Sequence, residues 1–272
     1  MTDADRSRAG SAPQGIDLTR PSAARVYDYY LGGFHNFPVD RDLAEAAITA
    51  YPNVRGAARA GRAFLGRAVR HLAAQGVRQF LDLGSGIPTA GNVHEIAQAI
   101  DPTSRVAYVD IEPVAVTHGQ QILADNPNAT SVQADLRDPA QVLALPAVQE
   151  LIDPAQPTAL LLNLALHFIP DADNPTDILR RYRQALGPHS WLALSHGTDE
   201  FDPTRFGTAS ALYARTATPL RFRTRDEIHA LLGDYRLVPP GLVLVEQWQP
   251  DTIADIPDPQ RFGIWAGVAR AS

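Results

Sequence analysis

The stretch RQFLDLGSGIPTAGNVHEIAQAI, residues 78–100, decides the fold of this chain. An apolar strand ends at Asp82, and two glycines follow at Gly84 and Gly86. A helix is expected to begin near Ala90. Glycines at such a turn allow a sharp bend and let a ligand approach the backbone without meeting a Cβ. Because the helix directs free N–H groups and its positive dipole end at the turn, the stretch predicts a nucleotide-type site.

Three further apolar strands each end in a polar side chain. These are Asp110 in segment 104–113, Asp135 in segment 129–139 and Asn163 in segment 158–171. Asp110 lies 24 residues beyond Gly86, and an acid about 20 residues past a glycine turn commonly binds ribose hydroxyls. Strands this apolar suit a parallel sheet covered on both faces. Their carboxyl ends then bring these polar residues to one edge.

The remaining pattern predicts helices on either side of the sheet. Helices are expected at 21–31, 39–50, 54–75, 90–100, 113–124, 139–150, 175–186, 202–216 and 224–233, a fifth strand at 189–197 and a last antiparallel strand pair at 241–248 and 261–269. The fold class is therefore α/β, with a doubly wound, Rossmann-like, mostly parallel seven-stranded sheet, an antiparallel terminal strand pair and an N-terminal helical cap. The expected division is a disordered tail at 1–17, the cap at 18–76 and the Rossmann-like domain at 77–272.

Composition excludes several classes of protein. The net charge is −6 and all 24 basic residues are arginine, which argues against a general nucleic-acid binder and removes lysine chemistry. The chain has no cysteine, so thiolate catalysis, cysteine-ligated metals and disulfides are excluded, and no metal site is expected. The N-terminus lacks an apolar signal region, and no run reaches the ~18 apolar residues of a membrane helix. We therefore expect a cytoplasmic protein with no membrane partner.

Two interpretations of the nucleotide site compete. A dinucleotide fold needs a third glycine, whose place is taken by Thr89 after Pro88. Asp82 would also repel a pyrophosphate, whereas it suits a ligand with a cationic centre and an amino group. Asp135, at the third strand end, can accept a hydrogen bond from an adenine amino group.

The motifs FLDLGSG, YVDIEP and QADLRDP, in this order and spacing, resemble the three cofactor motifs of class I S-adenosylmethionine-dependent methyltransferases. LALHFIPD resembles the segment after strand four in that superfamily. RPSAARVYDYYLGGFHNFPVDRD, at 20–42, with DLGSGIPT and LALSHGT, is similar to an actinobacterial S-adenosyl methyltransferase family, formerly a domain of unknown function. The resemblance runs roughly from Arg20 to Arg270. The chain departs from the usual pattern at Pro88 and at Phe34-His35, and the second departure concerns the substrate side.

The resemblance implies that S-adenosyl-L-methionine is the cofactor. The side chains and turns that it predicts to bind the cofactor are Asp82, Gly84, Ser85, Gly86, Thr89, Asp110, Ile111, Asp135, Leu136, Asn163, Tyr30 and Asn36. Asp82 would hold the methionine amino end, Asp110 the ribose, Asp135 the adenine, and Asn163 would form the floor of the reaction centre. Each acid also has a structural alternative, because a carboxylate after a strand can cap the following turn through backbone N–H groups.

Two histidines are candidates for catalysis. His167 and His196 follow strands four and five, and either could act as a base or an orienting group near neutral pH. A histidine at a strand end can equally be bonded to a neighbouring loop. Methyl transfer depends mainly on alignment, so positioning alone could be sufficient.

The first helix allows two interpretations. Tyr27, Tyr30, Leu31 and Phe34 have the spacing of one helical face, which favours core packing. Alternatively, this helix and the turn at 32–37 close over the cofactor, with the double glycine giving the turn its freedom. The adjoining Asp40-Arg41 pair is either a solvated ion pair or an anchor. The arginine-rich segment 221–225 is interpreted as solvated, with recognition of an anionic substrate as the alternative.

The sequence thus predicts a methyltransferase acting on a small-molecule acceptor, without a nucleic-acid partner. The segment Asn163-Leu164-Ala165-Leu166 lacks the Asn-Pro-Pro-aromatic string of nucleobase amino-methylation. A non-catalytic binder of S-adenosylmethionine or S-adenosylhomocysteine and an NAD(P)-dependent oxidoreductase remain as alternatives.

Overall fold

The structure is a computed structural model that describes residues 17–87, 91–214, 216, 218–252 and 258–272. The disordered tail expected at 1–17 lies outside this range except for its last residue, and so does Thr89 of the expected cofactor site. Within the described residues, every helix is too short or too polar to cross a membrane.

A single twisted sheet organises the described part of the chain. Its strands are β1 (Gln79–Leu83), β2 (Arg105–Asp110), β3 (Ala129–Gln133), β4 (Thr158–Asn163), β5 (Trp191–Gly197), β6 (Tyr235–Leu237), β7 (Val243–Leu244) and β8 (Ile264–Ala271). Their order is β3-β2-β1-β4-β5-β8-β6, with β7 pairing β8. β1 to β5 run parallel and β8 runs antiparallel to β5. The expected mostly parallel doubly wound sheet is confirmed.

Helices cover both faces of the sheet. The α-helices in the described residues are α1 (Ala23–Leu31), α2 (Pro38–Ala50), α3 (Val54–Ala74), α4 (Val93–Ile100), α5 (Pro113–Ile122), α6 (Pro139–Ala144), α7 (Pro146–Gln149), α8 (Pro175–Leu186), α9 (Pro203–Tyr213) and α10 (Arg225–Leu231). Side chains alternate along each strand, so that Phe80 joins the hydrophobic layer under α3 whereas Leu81 joins the layer under α8. Of the three helices in the cap expected at 18–76, α3 packs on the sheet, whereas α1 and α2 form a smaller cluster with Tyr213 of α9. We use the name cap below for α1 and α2 only.

Two helices differ from the sequence-based expectation. α4 begins at Val93 instead of near residue 90, because Asn92 is its N-cap and the Glu95 carboxylate accepts from the Asn92 N–H at 2.8 Å. The single helix expected at 139–150 is two short helices, α6 and α7, since Pro146 has no N–H to continue α6.

The C-terminal end of the sheet has one more strand than expected. The predicted pairing of 241–248 with 261–269 is present, with Val243 opposite Ala266. However, β8 lies between β5 and β6, and β6 is a three-residue strand that the sequence did not indicate. A strand this short shows too little alternation to be recognised from its pattern.

Candidate functional site

One cavity of about 730 Å³ lies at the carboxyl ends of β1, β2 and β4, under α1. Asp82, Asp110, Asp135 and Asn163 all line this cavity, as the sequence predicted from their strand ends. The cavity is charged where it meets β1, β2 and β3, and it is lined by aromatic and aliphatic side chains beyond β4. The position agrees with the general rule for ligand sites in open α/β sheets.

The glycine turn after β1 is shaped by two left-handed residues. Gly84 and Gly86 have φ angles of 66° and 67°. The Gly84 N–H donates to the Val109 carbonyl at 2.8 Å, and a Cβ on Gly84 would lie 2.7 Å from the Ala165 Cβ. Gly84 is therefore required by the close crossing of two strand ends. Ser85 and Gly86 present their backbone to the cavity.

Asp110 connects the glycine turn to the loop after β2. Its Oδ2 accepts from the Gly86 N–H at 2.7 Å, and its Oδ1 accepts from the Glu112 N–H at 2.9 Å. Burial raises the pKa of this carboxyl, while the bonds from Glu112 and Gly86 act in the opposite direction. Asp110 therefore caps the neighbouring turns through backbone N–H groups, as the structural alternative expected. Each carboxylate oxygen retains a further lone pair with which to accept from a ribose hydroxyl.

Asp82 is a carboxylate almost shut off from solvent, with 3% of its surface exposed. Burial raises the pKa of Asp82 to about 7, with a smaller contribution from the negative charge of Asp110, while Arg62 opposes the shift. A carboxyl group in this condition gains from a cationic ligand, because a nearby positive charge favours its ionised form.

Asp135 and Leu136 follow β3 and line the cavity with Ile111. The Arg137 guanidinium donates to both oxygens of Asp135, with Nη2 2.6 Å from Oδ2, and the Arg137 N–H donates to Oδ1 at 2.9 Å. Burial raises the pKa of Asp135, but its bonds with Arg137 outweigh that effect together and lower the pKa. The turn-capping alternative for Asp135 is therefore also present in the structure.

Asn163 has a fixed orientation at the end of β4. Its Oδ1 accepts from the Ser195 hydroxyl at 2.7 Å, and the same hydroxyl accepts from the Leu164 N–H at 3.0 Å. Because the Asn163 Oδ1 already accepts from Ser195, its Nδ2 can donate N–H hydrogen bonds to other groups. Tyr27 is a neighbour, because a hydrogen bond from Asn163 opposes the burial that raises the pKa of Tyr27 to about 12.

The two histidines differ in position. His167 lines the cavity, and its Nδ1 accepts from the Gly197 N–H at 3.3 Å. Burial, with smaller contributions from His196 and Arg223, holds the pKa of His167 well below its usual value. The ring is therefore neutral, and we assign its proton to Nε2.

His196 is fully buried and is not among the residues that line the cavity. Its Nδ1 lies 2.7 Å from the Gly197 carbonyl and its Nε2 lies 2.9 Å from Nη1 of Arg223. A carbonyl only accepts and a guanidinium only donates, so Nδ1 carries the proton. Burial is the main reason that the pKa of His196 falls to about 3.

Of Tyr30 and Asn36, both expected near the cofactor, only Tyr30 lines the main cavity. Tyr30 lines the cavity, and its hydroxyl is 3.1 Å from the Tyr213 hydroxyl. Asn36 lines a second pocket, which it shares with the other side of Tyr30. Its Nδ2 donates to Asp28 at 2.9 Å and its Oδ1 accepts from Arg41 at 3.1 Å, so the structure does not bring it to the main cavity.

Two expectations for charged and aromatic side chains are wrong. Phe34 is 93% exposed, because α1 ends at Leu31 and the helical spacing does not continue. Arg223 in segment 221–225 is buried, not solvated, with 2% of its surface exposed. Its guanidinium donates to the Ile169 carbonyl and to Asp171, at 2.8 and 2.7 Å, and so supports the loop that carries His167.

Sequence reasoning missed a buried charged network between the cap and β2. Arg25 lies between Asp40 of α2 and Glu112, at 2.8 and 3.2 Å. Asp40 also accepts from the Phe37 N–H at 2.8 Å, which makes it an anchor and not a solvated partner of Arg41. The only sequence signal was an acid three residues after Phe37, the position of a capping side chain.

Comparison with known proteins identifies the class. A model of the S-adenosyl methyltransferase family matches residues 9–272. A DUF574 family protein from Streptomyces avermitilis is 39% identical, covers 93% of this chain and 98% of its own, and superposes with a TM-score of 0.89. A candidate methyltransferase from Thermobifida fusca is 38% identical, covers 97% and 100%, and has a TM-score of 0.91. The curated proteins include no match.

The chain therefore belongs to the S-adenosyl methyltransferase family, and it is an S-adenosylmethionine-dependent methyltransferase. The oxidoreductase and the non-catalytic binder are not retained as alternatives. Magnesium protoporphyrin IX methyltransferase from Synechocystis, solved with S-adenosylhomocysteine, is 17% identical, covers 91% of this chain and 93% of its own, and has a TM-score of 0.51, a likeness in fold alone.

The charged end of the cavity suits this cofactor. Asp82 is a buried carboxylate that a cationic group would stabilise, and the glycine turn at 84–86 lines the cavity with it. Gly86 has room on its cavity side, since a Cβ there would meet no heavy atom within 4 Å. The chemistry of these groups fits a ligand that combines an adenosine with an amino acid.

Proposed function

We propose that this enzyme methylates a small-molecule acceptor inside the cavity under α1. The proposal rests on the continuity of the cavity, which extends from the acids at β1, β2 and β3 to an apolar chamber beyond β4. The charged end has the chemistry for a cofactor and the apolar end has space for a second molecule. Asn163, at the end of β4 next to β1, and His167, in the loop that follows β4, also line the cavity, and we place the methyl transfer beside them.

The proposed cofactor contacts follow the geometry of the strand ends. Asp110 binds the ribose hydroxyls, Asp82 binds the amino group, and the turn at 84–86, whose N–H groups already donate to Val109 and Asp110, packs against the cofactor. Ile111 and Leu136 pack against the adenine, with Asp135 as acceptor for its amino group. For Asp135 to do so, an oxygen must bond the adenine in addition to Arg137, which its spare lone pairs allow.

S-adenosylmethionine supplies an electrophilic methyl group on a sulfonium when it is bound. The residues of this chain then align the acceptor and keep water out, which is the main requirement of such a transfer. Asn163 presents amide N–H groups to the acceptor oxygen or nitrogen. His167 is a neutral hydrogen-bonding group at the same place, and His196 is a positioning residue behind it.

A small acceptor without nucleic acid is supported by charge and shape. The chain carries a net charge of −6, and nucleic-acid partners select basic surfaces. We also propose that the protein is cytoplasmic and comes from an actinobacterium. The origin is supported by similar structures from Streptomyces and Thermobifida.

Calorimetric titration tests the cofactor assignment. We expect S-adenosylmethionine and S-adenosylhomocysteine to bind, and Asp110→Ala to abolish both signals because two charge-assisted contacts are lost. NAD(H) serves as the negative control. Binding of NAD(H) alone would overturn the cofactor assignment, and unchanged binding to Asp110→Ala would overturn the role of Asp110.

Labelling tests the size of the acceptor. The enzyme is incubated with a cell extract of its source organism and with S-adenosylmethionine that carries a radioactive methyl group. The products are then ultrafiltered. We expect label in the filtrate, above the level obtained with Asp110→Ala. Label retained with protein or nucleic acid would contradict a small-molecule acceptor.

A further inference from the structure

The apolar end of the cavity has a charge distribution of its own. Within the described residues, every charged side chain that lines the cavity comes from segment 17–62 or from residues 82–137 at the ends of β1, β2 and β3. Beyond Asn163, the described lining residues from 164 to 264 include no Asp, Glu or Arg. The charged residues of segment 17–62 belong to the other end of the cavity: Arg25 is paired with Asp40 and Glu112 and bonds the Asp17 and Arg20 carbonyls, and the charge of Arg62 acts on Asp82. An ionised acceptor beyond Asn163 would therefore lose its hydration without a charged lining residue of 164–264 to pair with it.

Aromatic rings make up much of the chamber wall. They include Tyr30, Tyr51, Phe168, Phe206, Tyr213 and Phe222. These rings pack on one another, with centroids 5.0 Å apart for Tyr51 and Phe206 and 5.3 Å apart for Phe206 and Phe222. Gly197 allows the close packing, because a Cβ there would lie 2.9 Å from the Phe222 ring. Such a wall favours a flat apolar body over a flexible polar one.

One hydroxyl group in the chamber has a hydrogen left to donate. The Tyr30 and Tyr213 hydroxyls are 3.1 Å apart, and among the described residues each has the other as its hydrogen-bond partner. Two hydroxyls carry two hydrogens, yet only one of them lies in the bond between the oxygens. Burial raises the pKa of both groups, so both stay protonated. The second O–H is available to an oxygen of the acceptor.

We infer that the acceptor is a neutral, flat, largely apolar molecule with two oxygen functions. One is a hydroxyl beside Asn163: as its oxygen bonds the methyl group, the methyl–sulfur bond would break, S-adenosylhomocysteine would leave and the hydroxyl proton would be released to solvent. The other oxygen accepts from the Tyr30–Tyr213 pair. This inference rests on the proposed function and specifies its substrate class. The neutral aromatic walls select the body of the molecule. The two polar points, Asn163 and the tyrosine pair, fix its direction in the chamber.

Three naphthalene probes separate these features. 2,6-Dihydroxynaphthalene carries two oxygens, 2-naphthol carries one, and 6-hydroxy-2-naphthoate replaces one hydroxyl by an anion. Each is titrated by calorimetry at pH 7 into protein saturated with S-adenosylhomocysteine, whose own binding is measured first. That first step tests the cofactor site independently of the acceptor class.

We expect 2,6-dihydroxynaphthalene to bind about tenfold or more tightly than 6-hydroxy-2-naphthoate, because the anion is desolvated without a partner. It should bind about two- to tenfold more tightly than 2-naphthol, the range of one net hydrogen bond. In the double variant Tyr30→Phe/Tyr213→Phe, the preference for the second oxygen should disappear while S-adenosylhomocysteine still binds. Tyr235→Phe, a buried tyrosine of β6, is the matched control.

Equal or tighter binding of the naphthoate would overturn the inference, and so would failure of all three probes on protein that binds S-adenosylhomocysteine. A preference for the second oxygen that survives in the double variant would overturn the role of the tyrosine pair. Failure of S-adenosylhomocysteine to bind would instead count against the proposed function itself.

Discussion

Arg25 and Asp40 form an ion pair inside the protein, with Arg25 Nε 2.8 Å from Asp40 Oδ2 and side chains 2% and 0% exposed. The same guanidinium donates to the Arg20 carbonyl at 2.8 Å and to Glu112 at 3.2 Å. Glu112 is held in turn by Asp110 through its N–H. The cap is thus fixed directly to the loop that follows the proposed ribose-binding acid.

We predict that Arg25→Met lowers both stability and cofactor affinity. Asp40 would remain buried without its cationic partner, which costs about 3–5 kcal/mol of unfolding free energy. Loss of the contact to Glu112 would loosen the cap over the cavity and weaken S-adenosylhomocysteine binding. Urea unfolding and calorimetry measure the two effects.

Two variants control this prediction. Arg25→Met/Asp40→Asn removes both charges and should recover part of the lost stability, as expected for coupled neighbours. Arg70→Met breaks an exposed pair with Asp251, at 2.9 Å with side chains 48% and 69% exposed, and should cost less than about 1 kcal/mol. Equal losses for Arg25→Met and Arg70→Met would show that the buried pair has no special role.

The two glycines of the turn after α1 should respond differently to alanine. A Cβ on Gly33 would lie 1.9 Å from Asp28 Oδ1, whereas one on Gly32 would meet nothing within 4 Å. Asp28 is 1% exposed, and its Oδ2 accepts from the His35 N–H and Asn36 Nδ2, both at 2.9 Å. It therefore cannot move aside without losing these bonds.

We predict that Gly32→Ala costs about 1–2 kcal/mol, from its φ of 84° alone. Gly33→Ala should cost about 1–3 kcal/mol from forced displacement, and should also disturb the turn. Thermal unfolding and the His35 amide chemical shift distinguish them. If only Gly32→Ala shifted that resonance, the proposed contact between Gly33 and Asp28 would be contradicted.

Much of the fold was predictable because it repeats one physical pattern. β1, β2, β4 and β5 are largely apolar because both faces of the sheet are covered, and a polar side chain lies at or next to the carboxyl end of β1, β2 and β4. This periodic signal located β1 to β5 and brought Asp82, Asp110 and Asn163 to one cavity. β6 carried no such signal, since Tyr235–Leu237 includes an exposed arginine and is only three residues long.

The cap contacts were not predictable for the opposite reason. Arg25 and Glu112 are separated by 87 positions, and an arginine on a helix usually indicates a solvated face. The same rule gave the wrong interpretation for Arg223, which is buried beside His196. A long-range pair of charges becomes visible only when the topology places the two segments together.

His196 should not titrate between pH 5 and 8. Burial lowers the pKa of His196 to about 3, and the positive charge of Arg223 acts in the same direction. Histidine ring signals followed by NMR, with His196→Gln to assign the resonance, should show a neutral ring throughout that range. A midpoint between pH 6 and 7 would contradict the buried neutral state.

The same pKa has a consequence for stability. The folded pKa lies below the unfolded value of about 6.5, so the unfolded chain binds the proton first. The stabilising contribution of neutral His196 is therefore complete above pH 6.5 and decreases as the pH falls toward 3. His196→Gln should flatten the loss of unfolding free energy over this range, and an unchanged slope would contradict the assignment.

Asp82 should make cofactor binding depend on pH. Burial, reinforced by Asp110, raises the pKa of Asp82 to about 7 in the free protein. An ammonium group binds the ionised carboxylate, so binding below pH 7 requires a proton to be released. The affinity for S-adenosylhomocysteine should therefore decrease about tenfold per pH unit below that value.

Calorimetry between pH 5.5 and 8 tests this dependence, with 5′-methylthioadenosine as the matched ligand because it lacks the amino-acid portion. We expect the affinity for 5′-methylthioadenosine to change little with pH, and we expect Asp82→Asn to bind S-adenosylhomocysteine weakly at every pH.

Asp82→Asn should also be more stable than the native protein at pH 8. A carboxyl whose folded pKa exceeds the unfolded one destabilises the fold as the pH rises from about 4 to 7. A pH dependence shared equally by both ligands, or retained in Asp82→Asn, would assign the titration to another group.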